Sequence, residues 1–421
     1  MVILRKLKKT LSSLAPALSR SQFHNLTARL HGLSTRKFVV FLGHADYLVS
    51  GGGTEKYQAD DLIVLNANGY DVVQIYPLPY NNRHLYGVNW NDRSLAKGVT
   101  SGQIRDLVTF LRNLENFFSF NIHHLLGWED QFLWWFVSEV KGAKLLLYLH
   151  DFYSLCPSKH LLHDDQKYCG YLESHDDGVV CRSCRYEHRL KDWRNMFSAI
   201  FDVAEHVICP SVILADAIGR TYAVDAQKLR ICEHLRTVVT DRPVSKGKNK
   251  KLKVAYLGYR KNYKGWDVFR AIYKNPQLSR HYDFYHIGSN LNLRTIGLNR
   301  VSYSFHKNPL AAVDALLKHE IDLVLLLSLV PESYSFTLHE SFAAGVPVIA
   351  LEQSGNIAWK INKGEVYGRV FPDDDSLIAF LGDFHEVGRL LDKNPQMHTS
   401  ILEHESAFMR LFVRGECSGD F

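Results

Sequence analysis

Two carboxylates, Glu332 and Glu340, stand eight positions apart in the run Pro331-Glu332-Ser333-Tyr334-Ser335-Phe336-Thr337-Leu338-His339-Glu340. An ionised carboxylate offers only acceptors, so two neighbouring hydroxyl donors can share it. A helix beginning near Ser335 would put Glu332 in the loop before it and Glu340 on it, both at a crevice mouth. Thr337-x-x-Glu340 also matches a capping box, in which Glu340 would only satisfy backbone N–H groups. A second candidate is the glycine run Gly51-Gly52-Gly53, since a backbone without Cβ lets a ligand phosphate approach closely. A plain tight turn accounts for it equally well. A third is the set Cys156, Cys169, Cys181 and Cys184, in which Cys181-x-x-Cys184 has a spacing that lets two thiolates share a tetrahedral Zn²⁺. Reduced structural thiols and disulfides are the alternatives. Cys209, Cys232 and Cys417 lack a partner pattern and read as packing residues.

The elements around these residues alternate. Residues 38–42 form a short apolar run of strand length, and residues 54–66 carry Tyr57, Leu62 and Leu65 at helical spacing. Asn68-Gly69 stops that helix before a second strand at 72–76. Further strands are expected at 121–126, 144–149 and 206–209, with an aromatic-rich helix at 131–140. The sequence 156–184 interrupts the pattern as an insertion, and 241–251 is polar and lysine-rich, a linker. Strands return at 252–257, 282–287, 323–327 and 346–351. Strands alternating with helices build parallel, doubly wound sheets. The expectation is therefore an α/β chain of two Rossmann-like domains, 38–240 and 252–392, with a tail at 393–421. Trp134 and Trp135 read as helix core, with an acceptor groove as the other reading.

Composition narrows the function. Hydrophobic residues at 46% and charged residues at 22% describe a globular protein, and a net charge of +6 over 421 residues is no nucleic-acid footprint. Residues 1–37 hold eight basic residues (Arg5, Lys6, Lys8, Lys9, Arg20, Arg29, Arg36 and Lys37) and no acidic one. Leu4, Leu7, Leu11, Leu14 and Leu18 would form one stripe of a helix there, an amphipathic segment suited to an anionic membrane surface; a stripe packed on the protein's own domain, a coiled-coil contact and a disordered tail are the alternatives. Pro16 would bend or end that helix. No apolar run reaches signal-peptide or spanning length, so a cytoplasmic protein, peripheral on the inner membrane face, is expected.

The segment Glu332 to Glu340 resembles the E-x7-E motif of the retaining glycosyltransferases of family 4, which have the GT-B fold, two Rossmann-like domains facing a central cleft. Ala344-Gly345-Val346-Pro347-Val348-Ile349 is similar to their next turn and strand, and Gly51-Gly52-Gly53-Thr54-Glu55 to their amino-terminal glycine loop. Val254-Ala255-Tyr256-Leu257-Gly258 followed by Lys264-Gly265-Trp266 resembles the first strand and basic loop of their donor domain. His150-Asp151 and Cys156-Pro157 resemble a cysteine-containing branch. The matching segments span roughly residues 38–360.

The resemblance implies a role for each matching residue. Glu340 would hold the ribose hydroxyls of a nucleotide-sugar and Glu332 the transferred sugar. Gly52, Gly53, Ser335, Phe336 and Thr337 would face the donor phosphates, Lys264 would neutralise the leaving diphosphate, and His150 would meet the donor sugar. The family's arginine directly after the glycine is here Tyr259, with Arg260 one position later as the candidate for its place. A hexose would pass with retention to a glycan or lipid-linked acceptor, as in the building of cell-surface polysaccharide or lipopolysaccharide. The departing phosphate oxygen would take the acceptor's proton, with no carboxylate nucleophile and no catalytic metal. An inactive or regulatory nucleotide-sugar binder, and a GT-B epimerase or phosphorylase, are the other readings.

Overall fold

The computed structural model describes residues 15–78, 84–243, 251–288, 297–306, 308–394 and 398–415. Its amino-terminal half is built on ten strands. Eight form one sheet: β1 (Lys37–Leu42), β2 (Tyr70–Pro77), β3 (Tyr86–Trp90), β4 (Arg93–Val99), β5 (Phe117–Ile122), β6 (Leu145–Tyr148), β9 (His206–Cys209) and β10 (Leu229–Ile231). Two more, β7 (Leu162–His163) and β8 (Lys167–Tyr168), make a small hairpin inside the insertion. The order across the sheet is β10-β9-β6-β5-β1-β2-β3-β4, parallel except for the β3–β4 edge. Side chains alternate faces along β1: Phe38, Val40 and Leu42 enter one buried cluster, Val39 and Phe41 another. Both faces are thus covered, which is why β1 reads as an uninterrupted apolar run. That edge hairpin, with Asn91 at φ 50° in its turn, was not anticipated from sequence.

The second sheet comprises β12 (Leu252–Leu257), β13 (Tyr282–Gly288), β14 (Asn299–Ser302), β15 (Leu323–Leu326), β16 (Val348–Leu351) and β17 (Gly368–Phe371). Its order is β14-β13-β12-β15-β16-β17, wholly parallel. Again β12 divides its residues, Val254 and Tyr256 to one core, Ala255 and Leu257 to the other. The carboxyl ends of β12 and β15 open toward the first domain.

Two strands join the domains: β11 (Leu235–Pro243), leading out, pairs antiparallel with β18 (His398–His404), leading back. The stretch assigned to a tail therefore holds a strand. Beyond it Ala407, Phe408 and Met409 are buried with Val39, Phe41 and Tyr57 in a core of the first domain.

Residues 1–14, which carry most of the basic leucine stripe, lie outside the described residues. The rest of that segment folds onto its own domain: Ser19 caps the helix Arg20–Leu33 in a capping box with Gln22, Leu26 and Leu30 are buried, and Leu18 packs on the same core. Leu18 is thus taken from the membrane-facing stripe. Trp134 is 48% exposed and Trp135 packs against Phe132, so the pair is neither core throughout nor part of the cleft.

Candidate active site between the domains

The cleft between the sheets encloses about 320 Å³ and is lined from both domains. On the carboxyl-terminal side, Glu332 lies in the loop after β15. Its backbone forms an isolated bridge with Gly355: Glu332 N donates to Ser354 O (3.2 Å) and Asn356 N to Glu332 O (2.9 Å). Gly355 has φ +62°, and a Cβ there would stand 2.7 Å from the Glu332 nitrogen, so this clamp requires glycine. The Glu332 carboxylate accepts Lys264 Nζ at 2.5 and 2.7 Å and Ser328 Oγ at 2.7 Å. Lys264 ends a loop that Tyr256 ties, its hydroxyl 2.8 Å from Tyr259 O and 3.0 Å from Lys264 O.

Glu340 sits on the helix Phe336–Ala343 at 4% exposure. Among the described residues its carboxylate accepts no hydrogen bond. Burial pushes its pKa up to about 7, against the pull of Lys56 and with a further push from Asp60. The helix cap is Ser335, whose Oγ accepts Leu338 N at 3.2 Å. Thr337 is therefore not the cap, and the capping-box account of Glu340 fails. At first-turn positions the N–H groups of Phe336 and Thr337 have no intrahelical acceptor and border the cleft.

The amino-terminal wall begins with the glycine run. Gly52 caps the helix Gly53–Ala67 in an extended conformation, so a left-handed turn is not the reason for glycine. Close approach is, at Gly52: a Cβ there would overlap the Glu55 carboxylate, whereas one on Gly53 would make only an ordinary contact, 3.5 Å, with the Phe336 ring. Glu55 Oε1 lies 3.2 Å from His44 Nε2, and burial disfavours the charged form of both. The two helix starts, at Gly53 and Phe336, thus face each other.

His150 also lines the cleft, yet both its ring nitrogens are occupied. Nε2 lies 3.2 Å from His123 Nδ1, and Nδ1 lies 3.3 Å from His234 Nε2. Burial lowers its pKa to about 3, so the ring is neutral at pH 7. Its carbonyl accepts Ser333 Oγ at 2.6 Å. In this arrangement the His150 ring lines the cleft with both nitrogens directed to other imidazoles. Beside it, burial would raise the Asp151 carboxyl, but His124 at 3.1 Å holds it well below the usual carboxylate range. Lys159 and His160 complete this wall, His160 stacked on Tyr263 of the other domain at 4.6 Å.

Arg260 does not line the cleft. Its Nε donates to His286 Nδ1 at 3.0 Å and its guanidinium lies 4.6 Å over Trp266. The preceding residue takes the forward position: the Tyr259 hydroxyl donates across the cleft to the Gly51 carbonyl, and His306 donates to Ser50 O at 2.8 Å. Lys56, Tyr303, Phe305 and Ser328 are lining residues that the sequence did not point to, and Tyr259 stood out there only as the residue in the arginine's place. Only Ser328, four positions before Glu332, had a local signal.

The insertion holds its four cysteines as free thiols. Cys184 stands with His163 and Asp164, their ligand atoms all within 4.8 Å; among the described residues the four sulphurs are not so grouped.

No protein-family model matches this chain, and no curated protein sequence matches it. Solved structures do. Sucrose-phosphate synthase from Thermosynechococcus elongatus is 14% identical with a TM-score of 0.55, the alignment covering 85% of this chain and 93% of that one. HepE from Anabaena in complex with UDP and glucose is 13% identical at 0.50 (85% and 92%), and WaaG, a glycosyltransferase involved in lipopolysaccharide biosynthesis, is 12% identical at 0.50 (85% and 91%). The fold is GT-B, two Rossmann-like domains about a cleft.

Proposed function

We propose that this chain is a retaining glycosyltransferase that moves a hexose-type sugar from a nucleotide-sugar to a glycan or lipid-linked acceptor. The observation that carries the reading is the Lys264–Glu332 pair, set beside the open start of the helix Phe336–Ala343 with Glu340 buried on the next turns. Breaking a glycosidic phosphate bond leaves an oxocarbenium-like sugar and a diphosphate, so preorganised positive potential on the phosphates gives the largest help. Lys264 keeps a third ammonium hydrogen free of Glu332, and two opposed helix starts supply partial positive charge. Glu332 would then hold sugar hydroxyls and Glu340 the ribose. With His150 bonded on both sides, it would position the wall, and sugar contact from it would require His123 or His234 to release it.

The HepE structure holds UDP and glucose, and this supports a nucleoside-diphosphate sugar as donor here. WaaG's part in lipopolysaccharide biosynthesis supports a cell-surface glycan product. Donor hydrolysis without acceptor, measured across a panel of nucleotide-sugars, tests the reading. One donor is expected to be turned over and its product to keep the anomeric configuration; inversion, or binding without turnover, would count against it. An inactive nucleotide-sugar binder is the second reading, favoured by Tyr259 and by Arg260 being turned away from the cleft.

We also propose that residues 1–14 hold the enzyme reversibly at an anionic membrane. Arg5, Lys6, Lys8 and Lys9 contribute about 1 kcal/mol each near such a surface. No helix among the described residues is long and apolar enough to cross a membrane. Co-sedimentation with anionic vesicles should be salt-sensitive and lost on deleting residues 1–14; equal binding by both chains rejects the idea.

A further inference from the structure

The insertion between Cys156 and Cys184 has little core of its own. Its regular elements are a two-residue hairpin, β7–β8, and two helical turns of four residues, Tyr171–Ser174 and Asp177–Val180. Such a segment needs a staple. The hairpin brings Cys169 back beside the start of the insertion, Cys169 N donating to Leu161 O at 2.9 Å, and Cys156 and Cys169 pack on the same core. The Cys181–Cys184 turn closes on the hairpin through Arg185, whose N donates to Asp164 Oδ1 at 2.8 Å and whose guanidinium meets Asp165 at 2.9 Å. Cys181, Cys169 and Cys184 all lie within electrostatic reach of Cys156.

We infer that Cys156, Cys169, Cys181 and Cys184 bind one structural Zn²⁺, which fixes the insertion as part of the cleft wall. Four thiolates at about 2.3 Å from zinc place their sulphurs about 3.8 Å apart. The thiols are partly buried and free of disulfides, and rotation about χ1 together with movement of the loops that carry them must bring the sulphurs to that spacing. Each ligating thiol releases its proton to solvent as the metal enters. The consequence reaches the cleft because Lys159 and His160 follow Cys156 by three and four residues and line it. The metal would thus set their position without touching substrate. This inference stands apart from the transferase reading.

The full-length protein, purified without added metal, is analysed for zinc and for native thiol reactivity. About one zinc per chain is expected, with four thiols that react only after chelation. Cys181→Ser with Cys184→Ser should lose the zinc, while His163→Ala should keep it. Because the cysteine variant could fail to fold, the wild type is also stripped with chelator and reloaded with ZnCl₂. Protease cleavage is expected to appear within 156–184 and then disappear, with the rest of the chain uncut. Zinc well below one equivalent with four freely titrating thiols, a disulfide among them in the native chain, or loss of zinc in His163→Ala would each overturn the assignment.

Discussion

The two walls of the cleft are made of different chemistry. The carboxyl-terminal wall uses formal charge: Lys264 on Glu332, held in place by Ser328 and by the Gly355 clamp. The amino-terminal wall is built around imidazoles: His150 links to His123 and His234, and burial lowers all three. A neutral imidazole both donates and accepts, so such a chain orders a surface without placing net charge on it. The difference teaches a division of labour at the centre of the cleft, where the side suited to a diphosphate is preorganised by the Lys264–Glu332 pair and the facing side by hydrogen bonding among three uncharged rings, with the ionisable side chains of that wall, Lys56, Asp151 and Lys159, set around them.

The largest break in that contrast should come from Lys264→Ala. Removing a preorganised charge aimed at a leaving group is expected to cost about 10²–10³ in turnover, roughly 2.7–4 kcal/mol, with donor affinity less affected. Steady-state kinetics at saturating donor checks this, and unchanged turnover would remove Lys264 from the chemistry.

Next is Glu340. Glu340→Ala is expected to weaken donor binding by about 1–3 kcal/mol, since ribose hydroxyls would lose their acceptor in a closed site. Calorimetry with the nucleotide-sugar measures it. A sharper version uses pH. Because the folded pKa of about 7 lies above the ordinary value of 4.5, the carboxyl stays neutral in the folded chain up to about pH 7, and its contribution to stability is fully present below 4.5. That stability falls as pH rises from 4.5 to about 7. Donor affinity of the wild type should rise over pH 6–8 as the carboxylate forms. In Glu340→Gln both slopes should flatten; persistence of either would assign it to another group.

The smallest effect tests the bond that joins the two walls. Tyr259→Phe removes the hydroxyl that reaches the Gly51 carbonyl at a half-exposed position, so a loss of about 1 kcal/mol or less in donor affinity is expected. A larger effect on turnover than on affinity would place Tyr259 in the arginine's role and sharpen the case for an active enzyme.

What the sequence made legible was local. The strand-loop-helix order around Glu332 and Glu340, and the buried runs of both sheets, follow from side-chain period over short windows. The contacts that finish the site are not local. Tyr259 meets Gly51 across 208 positions and His150 meets His234 across 84, and no window holds either pair. Arg260 was misplaced because adjacent positions in a loop face different ways, and only the pull of His286 and Trp266 decides which one turns from the cleft. The β3–β4 edge was legible but went unread: Tyr86, Val88 and Trp90 alternate with Gly87 and Asn89, a short period-2 signal that puts the three apolar side chains in one core. β11 and β18 were hidden for another reason: each pairs with a strand on the far side of the second domain in the chain, Leu235 opposite His404, so neither has a partner in its own neighbourhood.

The return of residues 407–409 into the first domain sets a timetable for synthesis. Phe408 stands edge-on to Tyr70 and to Phe118, two residues made some three hundred positions earlier. On the ribosome, the first domain can assemble its sheet but keeps one apolar face uncovered while the whole second domain is translated. Its core closes only when the last described segment emerges. The domain begun first is therefore completed last, and a chain stalled within 252–392 presents an exposed aromatic face rather than a finished half of the enzyme.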